Sequence, residues 1–546
     1  MGLFESLTMP MRRRSRAGSE LAKDEARSFL PQHEDREDGE VMKGWKGLWQ
    51  SQQWVIIGFA AAFGLLMLYV LAPLLTNEKE PSAIQGGVAT RPSNMHVLLV
   101  AETPSAGFCK TMFSAAILGY PSPIIVNWAA RLPETLEEKN RETIPSMVEG
   151  VNDYLKGLDA THNDDIVVVL EGESLVQLRA STLVERFFSI NKRANERLKK
   201  DWGKYAARNH IQQDVLFGAQ KECSGLSASD AACYGAPAST LPAKIYGDDT
   251  DAEGGDDENR FDHFRPRFLD TGSIVGTVGG VRKVFEAAAR HAEGKDDKEK
   301  KVALQRIFGQ QQTHRELIRR DAGFKHNRGF TREHISTMRN AITNSPNVTY
   351  EYGIGLDFAS EISAHMAFSS DDYAPVKFSD PKALQTARAE HKVGLTTAQQ
   401  PLPKDVSASL PPYWTFSFEP ALPRFNHWSQ VPLFTNLYTG VTPAIIRPSK
   451  RGNGDAEMSK PWFHEHTRRL LDISAYSPIT PVAVGGENAS TVREFWPFEI
   501  WKGGGRDSRV EEMKGEGWIR MDFECGDFGE EIIQDGLGAW GLPENH

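Results

Sequence analysis

Two carboxylates, Glu171 and Glu173, close the apolar run Asp165–Leu170 (DIVVVL). Acidic side chains at the end of a buried strand can hold a hard divalent cation against a diphosphate, because such ions take oxygen ligands and screen phosphate charge. Taken alone, a pair of solvated loop carboxylates is the plainer reading of this motif. Other chemistry-bearing patterns are weaker. The chain has no P-loop, no His-Glu-x-x-His, no Cys-x-x-Cys and no Gly-x-Ser-x-Gly. Gly276-Thr-Val-Gly279-Gly280 is too loose for a dinucleotide fingerprint. The imidazoles of His464-Glu-His466 would share a face only on a strand, whereas the adjoining TRRLL reads as helix, so they are not expected to chelate a metal. The acidic stretch Gly247–Asn259 (GDDTDAEGGDDEN) reads as a solvated surface loop.

The elements that must position the two carboxylates read as α/β. His96–Ala101 (HVLLVA) is continuously apolar, as expected of a strand covered on both faces. A helical stretch follows Pro104 and ends near Gly119, and Ile124–Trp128 (IIVNW) is a second strand. Ser146-Met-Val-Glu149 has the form of a capping box, with Val148, Val151, Leu155 and Leu158 at helical spacing behind it. The third strand is Asp165–Leu170. This alternation implies right-handed crossovers and a mostly parallel sheet flanked by helices. Ligands bind at the carboxyl ends of such strands, where Glu171 and Glu173 fall.

Trp54–Leu75 (WVIIGFAAAFGLLMLYVLAPLL) is uncharged and, as a helix, would run about 33 Å, enough for a bilayer core. It lies well behind the N-terminus, so it reads as an uncleaved signal anchor. Arg12, Arg13, Arg14, Arg16, Lys43 and Lys46 precede it, which argues for a cytosolic N-terminus, with Trp45, Trp49 and Trp54 as an aromatic anchor. The expected organisation is that of a type II membrane protein: a disordered cytosolic tail (1–53), a transmembrane anchor (54–75), a stem (76–94), a core (95–370) and a C-terminal part (371–546). Met1-Gly-Leu-Phe-Glu-Ser6 also fits the myristoylation pattern.

With 546 residues, 40% of them hydrophobic and 10% aromatic, the chain can bury one large core or two smaller ones after the anchor. A net charge of -10 argues against nucleic acid as the main partner, since phosphate contacts need clustered Lys and Arg. Cys223 and Cys233 are close enough to bridge a short loop in an oxidising lumen; Cys109 and Cys525 are far apart, and free buried thiols are the alternative. Asn347-Val-Thr and Asn488-Ala-Ser are glycosylation sequons on the expected lumenal side.

A series of blocks runs in order through the region after the anchor. They are Cys109–Trp128 (CKTMFSAAILGYPSPIIVNW), Asp165–Phe187 (DIVVVLEGESLVQLRASTLVERF), Phe217–Lys221 (FGAQK), Ala232–Pro237 (ACYGAP), Tyr246–Asp251 (YGDDTD), Arg265–Gly276 (RPRFLDTGSIVG), Tyr350–Phe358 (YEYGIGLDF) and Met521–Trp540 (MDFECGDFGEEIIQDGLGAW). Together they resemble a family of fungal type II membrane proteins whose catalytic region is similar to the glycosyltransferase domain of procollagen lysyl hydroxylases. The resemblance implies a GT-A-like, Rossmann-like fold, a UDP-sugar donor, a glycan or protein acceptor, a divalent metal, usually manganese (Mn2+), and a Golgi or endoplasmic reticulum membrane. The oxygenase domain of those hydroxylases has no counterpart here.

The resemblance also implies a site, with departures. Registered on Gln177-Leu178, the family's Asp-x-x-Asp places Leu170 at the first aspartate and Glu173 at the second, leaving Glu173 as the surviving metal carboxylate. Thr442–Lys450 (TPAIIRPSK) puts Arg447 at the family's metal-binding histidine and Ser449 at its asparagine. The sugar-facing Leu-Asn-Ser-Gly block is Leu269-Asp270-Thr271-Gly272, and a Ser-Asp-Gln block appears only as Asp-Lys-Glu-Lys-Lys at 297–301. Glu171, Glu173 and Asp270 are thus the expected catalytic residues, with Thr271, Gly272, Arg447 and Lys450 on the nucleotide sugar. A guanidinium cannot ligate a metal, being protonated and donor-only, but it can bind phosphate oxygens in bidentate fashion, which is coherent with a metal-free site. Such a site requires Arg447 to point into the cleft near Glu173 and Asp270, with Lys450 or another cation close by. The alternatives are a degenerate transferase fold kept as a membrane-anchored binding or scaffolding protein, and a lumenal carbohydrate-binding module or hydrolase with paired acids, for which no second carboxylate pair stands out.

Overall fold

The computed structural model describes residues 93–128, 146–252, 261–325, 329–344, 348–394, 400–414, 421–423, 426–448, 461–474, 484–485, 493–497, 509–512, 518–520 and 524–533. The expected anchor 54–75, Lys450, Asn347 and Asn488 lie outside these residues. No helix among the described residues is long and apolar enough to cross a membrane.

The first part of the chain alternates as its apolar pattern predicts: β1 (Ser93–Val100), α1 (Ala106–Ile117), β2 (Ile124–Val126), α2 (Met147–Gly157) and β3 (Ile166–Glu171). Ser146 and Glu149 do form the capping box of α2, the serine hydroxyl accepting the Glu149 N–H (3.3 Å) and the glutamate accepting the Ser146 N–H (2.8 Å). Then come β4 (Leu175–Val176), α3 (Ala180–Trp202), β5 (Val215–Gln220), β6 (Phe268–Thr277), α4 (Val278–Ala292), α5 (Ala303–Asp321) and β7 (Ile354–Asp357). β3 is uninterrupted in apolar residues because helices cover both of its faces. Ile166, Val168 and Leu170 pack with Phe108 and Met112 of α1 and Leu183 and Phe187 of α3. Val167 and Val169 pack with Val151 and Leu155 of α2, Val281 and Phe285 of α4, and Ile307 of α5.

The later elements are β8 (Ser363–His365), β9 (Tyr373–Val376), β10 (Leu433–Asn436), β11 (Ile445–Arg447), α6 (Thr467–Ser474), β12 (Val484–Gly485), β13 (Arg493–Pro497), β14 (Arg509–Glu512), β15 (Trp518–Arg520) and α7 (Gly529–Ile533). Among the described residues the main sheet has ten strands in the order β15-β14-β2-β1-β3-β6-β5-β7, with β13 on β1 and β12 on β13. β1 runs parallel to β2, β3 and β13, β2 to β14, and β5 to β7. The sheet is therefore mostly parallel and flanked by helices.

β6 is antiparallel to both β3 and β5, as β12 is to β13 and β15 to β14. The Arg267 N–H donates to the Gln220 carbonyl (3.1 Å) and Gln220 pairs with Phe268, so β5 and β6 form a hairpin with residues 221–267 inserted at its tip. A hairpin needs no crossover helix, so helix-strand alternation carries no sign of it. Its direction starts β6 at the carboxyl end of β3.

Cys223 and Cys233 are joined within that insertion, with Cα atoms 5.6 Å apart. Cys109 and Cys525, far apart along the chain, are joined as well, across a sequence separation of 416. The fold returns the segment before α7 to α1, and both sulfur atoms lie in the core shared by these helices.

Candidate functional site

Glu171 is the last residue of β3, beside Val100 of β1, at the carboxyl edge of the sheet. The chain then turns through Gly172-Glu173-Ser174. Thr111 of α1 fixes this turn, its hydroxyl accepting the Ser174 N–H (2.9 Å) and donating to the Ser174 carbonyl (2.6 Å). Exposed Glu173 lies over Gly107 in the first turn of α1, where a β-carbon would come within 2.6 Å of Glu173 Cγ. Glycine there lets the acidic turn rest on the helix.

β6 begins at the same edge. Ser273 pairs with Leu170, so Asp270, Thr271 and Gly272 lie just beyond the end of β3. The β5–β6 register shifts between Phe217 and Gly218, and Gly218 leaves room for Asp270, whose Oδ2 lies 3.0 Å from where a β-carbon would be. Arg447 arrives from a separate three-stranded sheet: β11 is antiparallel to β4, which follows the acidic turn, and parallel to β8, with Arg447 opposite His365. Its Nη1 donates to both Asp270 oxygens (2.5 and 2.6 Å) and its Nη2 to Glu171 Oε2 (2.6 Å).

Gly272 is a glycine for a steric reason, since a β-carbon there would sit 1.7 Å from Arg447 Cζ. Gly272→Ala is expected to push the guanidinium aside and cost about 1–3 kcal/mol, the usual range for overpacking. In an Arg447→Ala background the same change should cost less than ~1 kcal/mol, because the space is then open. Denaturant unfolding of the four chains measures this coupling; additive costs would mean that the contact carries no energy.

The charges depend strongly on one another. Burial opposes ionisation of Asp270, whose side chain is 7% exposed, but Arg447 holds its carboxyl below the ordinary value. Burial likewise works against the charge on Arg447, yet Asp270 and Glu171 more than offset it and keep the guanidinium protonated. Glu171 lies above its ordinary value because of enclosure in the cleft, with Asp270 and Glu173 adding to the rise and Arg447 opposing it. With 42% of its side chain exposed, Glu171 remains open to solvent, which tempers that rise. Burial lowers His365, against the pull of Asp270, so its ring stays neutral at pH 7, with Nδ1 3.2 Å from Gln220 Oε1. Arg447 Nε is buried without a hydrogen-bond partner among the described residues.

Manganese does not fit this arrangement. Glu171 and Asp270 would be its oxygen ligands, but a protonated, donor-only guanidinium lies within hydrogen-bond distance of both. That leaves Glu173, and a single exposed carboxylate does not hold a hard cation.

The structure brings together Glu171, Asp270, Gly272 and Arg447, with Thr271 between Asp270 and Gly272 and Glu173 within electrostatic reach of Arg447. Among the described residues no second Lys or Arg hydrogen-bonds Glu171 or Asp270, and Lys450 is not described. His365, Gln220, Gly107 and Gly218 belong to the site and escaped the sequence reading. Neither glycine lies beside an acidic block in the sequence, and a lone histidine in Ser-Ala-His carries no signal. The chain matches no protein-family model and no curated protein.

Proposed function

We propose that this chain is a membrane-anchored lumenal glycosyltransferase that binds a UDP-sugar at the Glu171–Asp270–Arg447 cluster without a divalent metal and serves a glycan or protein acceptor in the Golgi or endoplasmic reticulum. The observation that carries this reading is the aim of Arg447 into the cleft at the carboxyl ends of β1 and β3, the region where α/β sheets bind ligands. A departing diphosphate needs fixed positive charge. Asp270 grips Nη1, Nη2 donates to Glu171, and Nε on the same edge of the guanidinium has no hydrogen-bond partner among the described residues. Phosphate oxygens displacing the exposed Glu171 would meet a two-donor edge suited to bidentate binding.

Glu171, once displaced, is the carboxylate in reach of an acceptor hydroxyl, and a raised pKa suits a general base. The acceptor O–H gives its proton to Glu171, the acceptor oxygen bonds to the sugar's anomeric carbon, and the bond from that carbon to the diphosphate breaks, the leaving charge falling on Arg447.

One observation favours a second reading. Glu171, Glu173 and Asp270 surround one guanidinium, so the cluster is net negative before any diphosphate arrives. That balance suits a hydroxyl-rich glycan or a cationic partner, bound by a degenerate transferase fold acting as a membrane-anchored binding or scaffolding protein. Calorimetric titration of the full chain with a panel of UDP-sugars in EDTA separates the two. The transferase reading expects binding that survives EDTA, falls about 10–100-fold in Arg447→Lys, which keeps the charge and loses the fork, and tightens in Glu171→Gln, with loss of turnover. A folded wild-type chain that binds no UDP-sugar leaves the scaffolding reading.

A further inference from the structure

We propose that His96, His162 and Asp165 form a binding site for a divalent metal of the zinc class at the amino ends of β1 and β3. His96 lies near the start of β1, and Asp165 immediately precedes β3, whose far end carries Glu171. Glu171 lies six positions along the strand from Asp165, roughly 20 Å, so this site is distinct from the Arg447 cluster and independent of the function proposed for it.

Three donor atoms converge there. Asp165 Oδ2 lies 3.1 Å from His96 Nε2 and 2.8 Å from His162 Nδ1, and all three atoms lie within 4.8 Å of one another. Around a tetrahedral zinc with bonds of about 2.0–2.1 Å, neighbouring ligand atoms stand about 3.3 Å apart. The two nitrogen–oxygen separations are within a few tenths of an ångström of roughly that value, and the two nitrogens, within 4.8 Å of each other, would close on the ion with them. Two imidazoles and a carboxylate are an open zinc ligand set, leaving one position for water or another ligand. Imidazole nitrogen also favours zinc over manganese.

The surroundings hold each donor in place. His96 Nδ1 is 2.7 Å from the Tyr154 hydroxyl of α2, which orients the ring so that Nε2 faces Asp165. The second carboxylate oxygen, Oδ1, accepts the Asn94 N–H (2.8 Å), and the Asp165 main-chain carbonyl accepts that of Val278 (2.8 Å). His162 ends the turn Ala160–His162, three residues before Asp165. Outer partners of this kind set ring tautomer and metal affinity. Without metal, His96 Nε2 faces a carboxylate oxygen, an acceptor, and donates to it. With metal on Nε2 the proton sits on Nδ1 and Tyr154 accepts, a role open to a hydroxyl. His96 and Asp165 are buried, while the His162 side chain is 14% exposed, so the ion enters past His162.

The test uses the full chain, stripped with EDTA and dialysed metal-free. Titration with Zn2+ by calorimetry, and with Co2+ by visible absorption, is expected to show one ion per chain in tetrahedral geometry and a zinc-dependent rise in melting temperature. His162→Ala leaves the buried His96–Asp165 pair intact, so the variant should fold, and it should lose the bound ion and the thermal shift. Tyr154→Phe, a change to a positioning residue, should weaken zinc about 10–100-fold while keeping the one-to-one ratio. Equal zinc uptake by wild type and folded His162→Ala, or none by the stripped wild type, overturns the assignment. Neither result bears on UDP-sugar binding in EDTA.

Discussion

Arg447→Ala is expected to destabilise the native chain by about 3–5 kcal/mol, the range for removing one partner of a buried ion pair. The loss comes from what remains: Asp270, 7% exposed, would keep a single long contact from the Gly272 N–H (3.3 Å) and no cation. The sign of the pH dependence distinguishes this from lost packing. In the wild type the carboxyl of Asp270 lies below its ordinary value, so its contribution is full above that value and disappears as pH falls through the folded-state pKa. In the variant burial dominates, the carboxyl is raised, and the native state favours the protonated form. The stability difference between the two chains should therefore be largest near neutral pH and shrink as the pH is lowered through the carboxylate range. Denaturant melts at several pH values measure it. A difference that stays constant with pH would mean that Arg447 acts through volume alone, and that the cluster is not held together by charge.

Cys525→Ser is expected to cost about 3–5 kcal/mol, more than Cys233→Ser by at least ~1 kcal/mol, because a cross-link that closes a longer loop removes more freedom from the unfolded chain. The separations are 416 and 10 residues. The effect should also be local. Ile532 and Ile533 of α7 are buried in the core beside Cys109 and Cys525, and without the bridge this short helix should detach first. Amide exchange should rise across 524–533 before the central strands respond. Equal stability of the two serine variants, with no change in exchange at α7, would show that packing alone retains the C-terminal segment.

The parts of this structure legible in the sequence are those decided within a few residues. The Ser146–Glu149 box and the apolar positions behind it specify α2, and the runs in β1 and β3 announce strands covered on both faces. The placement of Glu171 at a strand's carboxyl end follows from the same local pattern. What stayed hidden depends on pairing. The direction of β6 is set by its hairpin with β5 and not by anything within β6. Arg447 meets Asp270 and Glu171 across 177 and 276 residues, so register to a family placed it in the cleft but could not show that both carboxylates hold it. The Cys109–Cys525 bridge was hidden for the same reason, since distance along a chain says nothing of distance across a fold. His96 and His162 meet only because β1 and β3 lie side by side.

The main sheet is assembled from both ends of this chain, with consequences for its synthesis. β2 borders β14, and the start of β1 borders β13, strands that leave the ribosome some 300 residues after β3. At the usual pace of about 5–20 residues per second, β1–β3 would wait roughly 15–60 s for those neighbours. Throughout that interval the outer edge of β2 has unpaired backbone groups, a template for pairing with other chains. A truncation before residue 509 leaves β2 without its outer neighbour β14 even though every residue of the Arg447 cluster is present.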